Sequence, residues 1–156
     1  QQQGTETAAR AARIIEELRD LEGPLLPILH GLQEEFGHVP AETLPAIAEA
    51  LNLSRAEVHG VVSFYHDFRR APAGRHVLRL CRAEACQSMG AEAVAQEVRR
   101  VLGVDFHETA ADGSVTLEPV YCLGLCACAP SAMLDGEPIG RLDAATVAEI
   151  AAEVRR

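Results

Sequence analysis

Four of the chain's five cysteines fall in two close pairs, and this spacing limits what the chain can build. Cys81 and Cys86 enclose four residues, Cys122 and Cys126 enclose three, and 35 residues separate the pairs. Clustered cysteines point to metal or thiol chemistry. Four thiolates complete a two-iron site, because each tetrahedral iron holds two bridging sulfides and needs two cysteine sulfurs. Structural zinc also takes four cysteines, most often with two residues inside each pair, a gap that neither pair has here. The third possibility is a pair of disulfides or a thiol switch. A redox C-x-x-C is absent, since Cys126-Ala127-Cys128 encloses one residue. Spacing alone leaves the three readings open.

The apolar pattern divides the chain. Residues 1–5 are polar, with the composition of a frayed end, and 6–20 are helical in composition up to the break at Gly23-Pro24. Leu25, Leu29, Leu32 and Phe36 then line one helical face, and Gly37 suits the C-terminal stop. Pro40 suits the first turn of the next helix, which carries Leu44, Ile47, Ala48 and Leu51. Ser54-Arg55-Ala56-Glu57 reads as a capping box ahead of Val58, Val61, Val62 and Tyr65. Residues 1–70 are therefore expected to form a small helical bundle, and 71–74 (Ala-Pro-Ala-Gly) a linker.

From Arg75 the period changes. His76 to Leu80 reads as a strand ending at Cys81, and Gly90 to Leu102 as a helix stopped by Gly103. Asp112-Gly113 signals a hairpin, and Val115, Leu117 and Tyr121 alternate toward Cys122. Pro119 suggests that this strand is an edge. Ala132 to Leu134 reads as a further strand, Asp135-Gly136 as a turn, and Asp143 as the cap of a last helix with Val147, Ile150, Ala151 and Val154. The expected fold class is α/β: the bundle, then residues 75–156 as a small sheet with helices packed on it.

Hydrophobic residues make up 48% of the 156, enough for a real core. No apolar run approaches a membrane span, and no signal peptide opens the chain. The odd cysteine count and close pairs fit a reducing cytoplasm. The net charge of −9 argues against nucleic acid, and all 14 basic residues are arginine without a basic stripe. An acidic surface suits a basic protein partner, or simply solubility. His59 and His66, seven apart in the helical stretch, make a poor metal site on their own. No Walker loop, G-x-G-x-x-G or Ser–His–Asp pattern provides for substrate or nucleotide.

The residues around the cysteines carry a resemblance. Cys81-Arg-Ala-Glu-Ala-Cys86-Gln-Ser-Met-Gly90 and Val120-Tyr-Cys122-Leu-Gly-Leu-Cys126-Ala-Cys128-Ala-Pro130 resemble the thioredoxin-like [2Fe–2S] subunits of NADH-linked dehydrogenases. Glu34 to Pro40 and Val58 to His66 extend the likeness upstream. The resemblance implies a thioredoxin-like fold for residues 75–156, with Cys81, Cys86, Cys122 and Cys126 holding the [2Fe–2S] cluster. It implies a non-catalytic electron-transfer subunit beside a partner that carries FMN and binds NAD(H). Cys81 to Gly90 and Ser131 to Pro138 look closest to the gamma subunit of NAD-dependent formate dehydrogenase, whose molybdenum centre lies in a larger iron–sulfur subunit. The small complex I subunit and the bidirectional hydrogenase subunit are the alternatives within the family. A zinc-stabilised interaction module and a thiol oxidoreductase are those outside it. Gly124 either lets the backbone pass close to the cluster or is an ordinary turn glycine. Cys128, two positions on in an extended segment, can share a side with Cys126. The family motif puts the ligand at Cys126 and leaves Cys128 as a small buried hydrophobe. Ala129-Pro130 resembles the cis-proline turn of thioredoxins, but most X-Pro bonds are trans and the sequence does not set the isomer.

Overall fold

Glycine and asparagine, the residues most tolerant of left-handed backbone, end two of the N-terminal helices: Gly37 has φ 74° and Asn52 has φ 53°. The computed structural model describes residues 2–156, with side chains from Thr5 onward; Gln1 lies outside the described residues. Helix α1 (Gln2–Leu18) begins where polar composition suggested a frayed end. It is followed by α2 (Leu25–Phe36), α3 (Leu44–Leu51) and α4 (Arg55–Phe64). Pro40 stays extended and precedes a single 3₁₀ turn over Ala41–Thr43, while Pro45 takes the first turn of α3. The capping box forms as expected: Ser54 Oγ accepts from Glu57 N–H at 3.1 Å, and Glu57 accepts from Ser54 N–H at 2.7 Å.

The chain divides into two compact units, residues 1–72 and 73–156. In the first, Ile15, Ile28, Leu29, Leu32, Ile47, Val58 and Val62 make one core with Phe68. Burial of each large aliphatic side chain stabilises by about 1.5–3 kcal/mol. Two expectations change in this unit. Tyr65 terminates α4 and is exposed, and Phe64 beside it is 73% exposed. His66 lies past the end of α4, so it does not share a helix with His59.

The second unit is a five-stranded sheet in the order β2-β3-β1-β4-β5. The strands are β1 (His76–Cys81), β2 (Glu108–Thr109), β3 (Val115–Val120), β4 (Ala132–Leu134) and β5 (Glu137–Ile139). The central pair β1 and β3 is parallel, with Cys81 opposite Val120; β4 runs antiparallel to β1 and β5 to β4. Three helices, α5 (Glu84–Ser88), α6 (Ala91–Leu102) and α7 (Ala144–Val154), complete the unit. Leu78, Leu80, Val115, Leu117, Ala132 and Leu134 from the sheet pack with Ala95 and Val98 of α6 and Val147, Ile150 and Val154 of α7. Asp143 caps α7 through its carboxylate and Thr146 N–H, 2.8 Å apart. The sheet and its helices are the α/β unit expected from Arg75 onward.

Pro119 does not mark an edge strand. β3 lies inside the sheet between β2 and β1. β2 is only two residues long and its pairing reaches Leu117, so Pro119 lies beyond its end, where β3 has no neighbour on that side. A missing N–H costs no ladder bond there. Gly74 answers a close approach: a Cβ on it would stand 2.9 Å from the backbone of Val115.

Candidate metal centre

Two loops at the same ends of the parallel strands bring the cysteine pairs together. Cys81 is the last residue of β1, and its N–H donates to Ser131 C=O at 3.0 Å. Cys86 lies on the short helix α5, between the strand and the helix that the sequence pattern marks. It is 1% exposed and Cys81 is 4% exposed; both pack with Ala91, Val120 and Leu123. Cys122 follows the end of β3 in a left-handed conformation, φ 97°, and Gly124 is left-handed too, φ 76°. The two reversals fold the loop back so that Cys122 Sγ and Cys126 Sγ lie 3.7 Å apart, both exposed. Gly124 is required for its conformation: nothing stands within 4 Å of the Cβ it lacks, and its N–H donates to Cys122 Sγ at 3.3 Å.

The electrostatics tie the pairs into one site. Burial pushes the Cys81 thiol up, but the Ala83 N–H, the Cys86 side chain and the N–H groups of Cys122 and Leu123 outweigh it and hold the thiol below its ordinary range. Cys126 is held above its ordinary value, first by its contact with Cys122 and then by the charges of Cys122, Cys86 and Cys81. Amide donors thus converge on Cys81, and one from Gly124 reaches Cys122.

Two sulfurs about 2.3 Å from one tetrahedral metal lie about 3.8 Å apart, and the Cys122–Cys126 separation matches this. The donor set fits a two-iron cluster with one pair per iron. Among the described residues, no three His, Cys, Asp or Glu side chains stand close enough together to hold a metal ion as they are placed.

Cys128 stands apart from the four. Cys126–Cys128 form a 3₁₀ turn rather than an extended segment, so side chains two apart diverge. Cys128 is half-buried, and its Cβ lies against Gly140. The Ala129-Pro130 bond is cis. Next to it is a residue that the sequence reading did not single out. Ser131, 2% exposed, places its Oγ 3.5 Å from Cys86 Sγ while its carbonyl receives the Cys81 N–H. Its position directly after Pro130 and before β4 was the available signal.

Residues 11–155 match the thioredoxin-like [2Fe-2S] ferredoxin family. This chain belongs to that family. The ferredoxin is 41% identical over 109 residues to a component of the NADH-quinone oxidoreductase of Pseudomonas aeruginosa, covering 70% of this chain and 66% of that protein. It is 33% identical over 141 residues to the HndA component of the NADP-reducing hydrogenase of Solidesulfovibrio fructosivorans, covering 90% of this chain and 82% of that one. Its fold resembles a chain of an NAD+-reducing [NiFe]-hydrogenase in the air-oxidised state, with a TM-score of 0.70 at 24% identity over 81% of this chain and 22% of that one. The family's cofactor is a [2Fe–2S] cluster, and its subunits serve electron transfer in NADH-linked complexes. No described helix of this ferredoxin is long and apolar enough to cross a membrane.

Proposed function

We propose that this ferredoxin is the [2Fe–2S] electron-transfer subunit of an NAD-linked dehydrogenase in the cytoplasm, with Cys81 and Cys86 on one iron and Cys122 and Cys126 on the other. The observation that carries this is the pairing of the thiols, with Cys122 and Cys126 at the spacing of two ligands on one tetrahedral metal. When bound, the cluster accepts and returns one electron. The chain's own residues set the terms of that exchange. Amides of Ala83, Cys122 and Leu123 directed at Cys81, and the Ser131 hydroxyl at Cys86, favour added negative charge on the buried side. Cys122 and Cys126 are exposed, which leaves that side of the site open to a redox partner. The chain has no catalytic residues of its own in this reading. FMN and NAD(H) belong to a partner subunit.

The parent assembly favoured by the local sequences at 81–90 and 131–138 is a soluble formate dehydrogenase, with its molybdenum centre on a larger subunit. The relatives named above are subunits of a quinone oxidoreductase and of a hydrogenase, and these favour the alternative parents. Residues 1–70 serve as the docking unit in this account. The division of the chain near Pro72 and the exposed Phe64 and Tyr65 support that role. The test is purification of the native complex through this chain, followed by NAD reduction with formate or hydrogen as donor. Formate-dependent reduction and stoichiometric molybdenum are expected; hydrogen-dependent reduction, or NADH-dependent quinone reduction without either, replaces the formate assignment.

A further inference from the structure

We infer that in the unloaded chain Cys122 and Cys126 form a disulfide by exchange with a small-molecule disulfide, and that this bond closes the site to metal until a thiol reductant opens it. The bond stands on the loop geometry alone; its effect on metal entry rests on the four-thiol site proposed above.

The thiols differ sharply in access. Cys81 and Cys86 are buried in the apolar cluster with Ala91, so an external disulfide reaches neither sulfur without local opening. Cys122 and Cys126 are exposed. Their sulfurs are 3.7 Å apart, and a disulfide needs about 2.05 Å. Rotation of two exposed side chains can close that gap, because no core packing holds them. The turn that brings them together is already made by the left-handed Cys122 and Gly124, so joining residues four apart orders little additional chain. Cys128 is a poorer partner for Cys126: side chains two apart diverge in the 3₁₀ turn they share.

The exchange balances without metal. A thiolate of the pair attacks the small disulfide, forms a mixed disulfide and expels one small thiolate. The second thiolate of the pair attacks the mixed disulfide and expels the other. Two protein thiols are oxidised, one small disulfide is reduced to two thiols, and the two protons follow the expelled thiolates. Of the four thiols of the site, the product leaves only the buried pair free, and two thiolates cannot complete either a zinc or a two-iron site.

The experiment uses the metal-free chain of 156 residues, oxidised glutathione as probe, alkylation after unfolding, and cleavage at arginine. One fragment, 101–141, then carries Cys122, Cys126 and Cys128, while Cys81 and Cys86 lie in separate fragments. The expected result is fragment 101–141 lighter by about two mass units with one alkylated cysteine, and Cys81 and Cys86 both alkylated. Cys128→Ala should keep the bond, and Cys126→Ser should instead trap glutathione on Cys122. A bond to Cys128, Cys81 or Cys86, or full alkylation at all five, overturns the inference. Zinc ion then probes entry, since sulfide would itself cleave the bond. Oxidation should weaken zinc uptake roughly tenfold or more, with recovery after reduction. Equal uptake by both forms, or none by either, refutes the lock. A reduced chain that takes zinc but builds no brown chromophore with iron and sulfide refutes the cluster reading and leaves the lock standing.

Discussion

Gly140→Ala tests how tightly the 126–128 turn is held. The backbone at Gly140 is not left-handed, so alanine introduces no conformational strain. Its Cβ would stand 2.7 Å from Cys128 Cβ and 3.1 Å from Cys128 O. Carbons in contact normally sit about 3.5–4.0 Å apart, so the turn must yield by about 1 Å. The turn is restrained from moving: Arg141 N–H donates to Cys128 C=O at 2.7 Å and Leu142 N–H to Pro130 C=O at 3.0 Å. Overpacking of this kind costs about 1–3 kcal/mol. In a domain of this size each kcal/mol lowers the melting temperature by about 4–8 °C. Circular dichroism melts of the reduced metal-free chain should show that fall. The double variant Gly140→Ala with Cys128→Ala should melt as low, because the offending Cβ remains. Gly140→Ala with Cys128→Gly should recover part of the loss relative to Cys128→Gly alone. Unchanged melting in Gly140→Ala would refute the steric argument.

Three further outcomes follow from the site and the bundle. Ser131→Ala should lower the reduction potential by about 20–40 mV, the one-electron equivalent of a hydrogen bond worth up to about 1 kcal/mol, while the cluster is retained; protein-film voltammetry reads it, and a rise or no change would remove the role assigned to that hydroxyl. Serine at Cys81, Cys86, Cys122 or Cys126 should abolish or severely alter the visible spectrum, whereas Cys128→Ser should keep it; the reverse order for Cys126 and Cys128 would move the ligand. Ser54, through its N–H first and its side chain second, holds the Glu57 carboxyl below its ordinary value. A depressed carboxyl stabilises the fold above its unfolded pKa, and the contribution disappears as pH falls through the folded one. Glu57→Gln should therefore be destabilised relative to the parent chain at neutral pH, with the difference in urea midpoint closing on acidification; a gap that widened in acid would reverse that sign.

Periodicity made most elements legible because local signals and tertiary packing agree there. Gly37 and Gly103 stop α2 and α6, Asp143 caps α7, and the Ser54–Glu57 box opens α4. The misreadings occur where spatial neighbours override local preference. Pro119 signals an edge that exists only locally, because its neighbour β2 is too short to cover it. Cys86 occupies a helix of five residues, too short to show a period. Cys128 diverges from Cys126 because the segment curls into a 3₁₀ turn. The cysteine pairs were visible as spacing. That one pair is buried and the other exposed depends on how α5 and the 121–126 loop pack, and no local pattern records it. Ser131 was hidden for the same reason: its importance comes from Cys81 and Cys86, which are distant in sequence.

Metal and sulfide analysis of the chain purified anaerobically, paired with electron paramagnetic resonance after reduction, decides whether the four cysteines hold two irons. The expected result is about two irons and two acid-labile sulfides per chain, a brown oxidised protein without a resonance signal, and a one-electron signal from the coupled pair on reduction. A colourless protein holding one zinc per chain would contradict it.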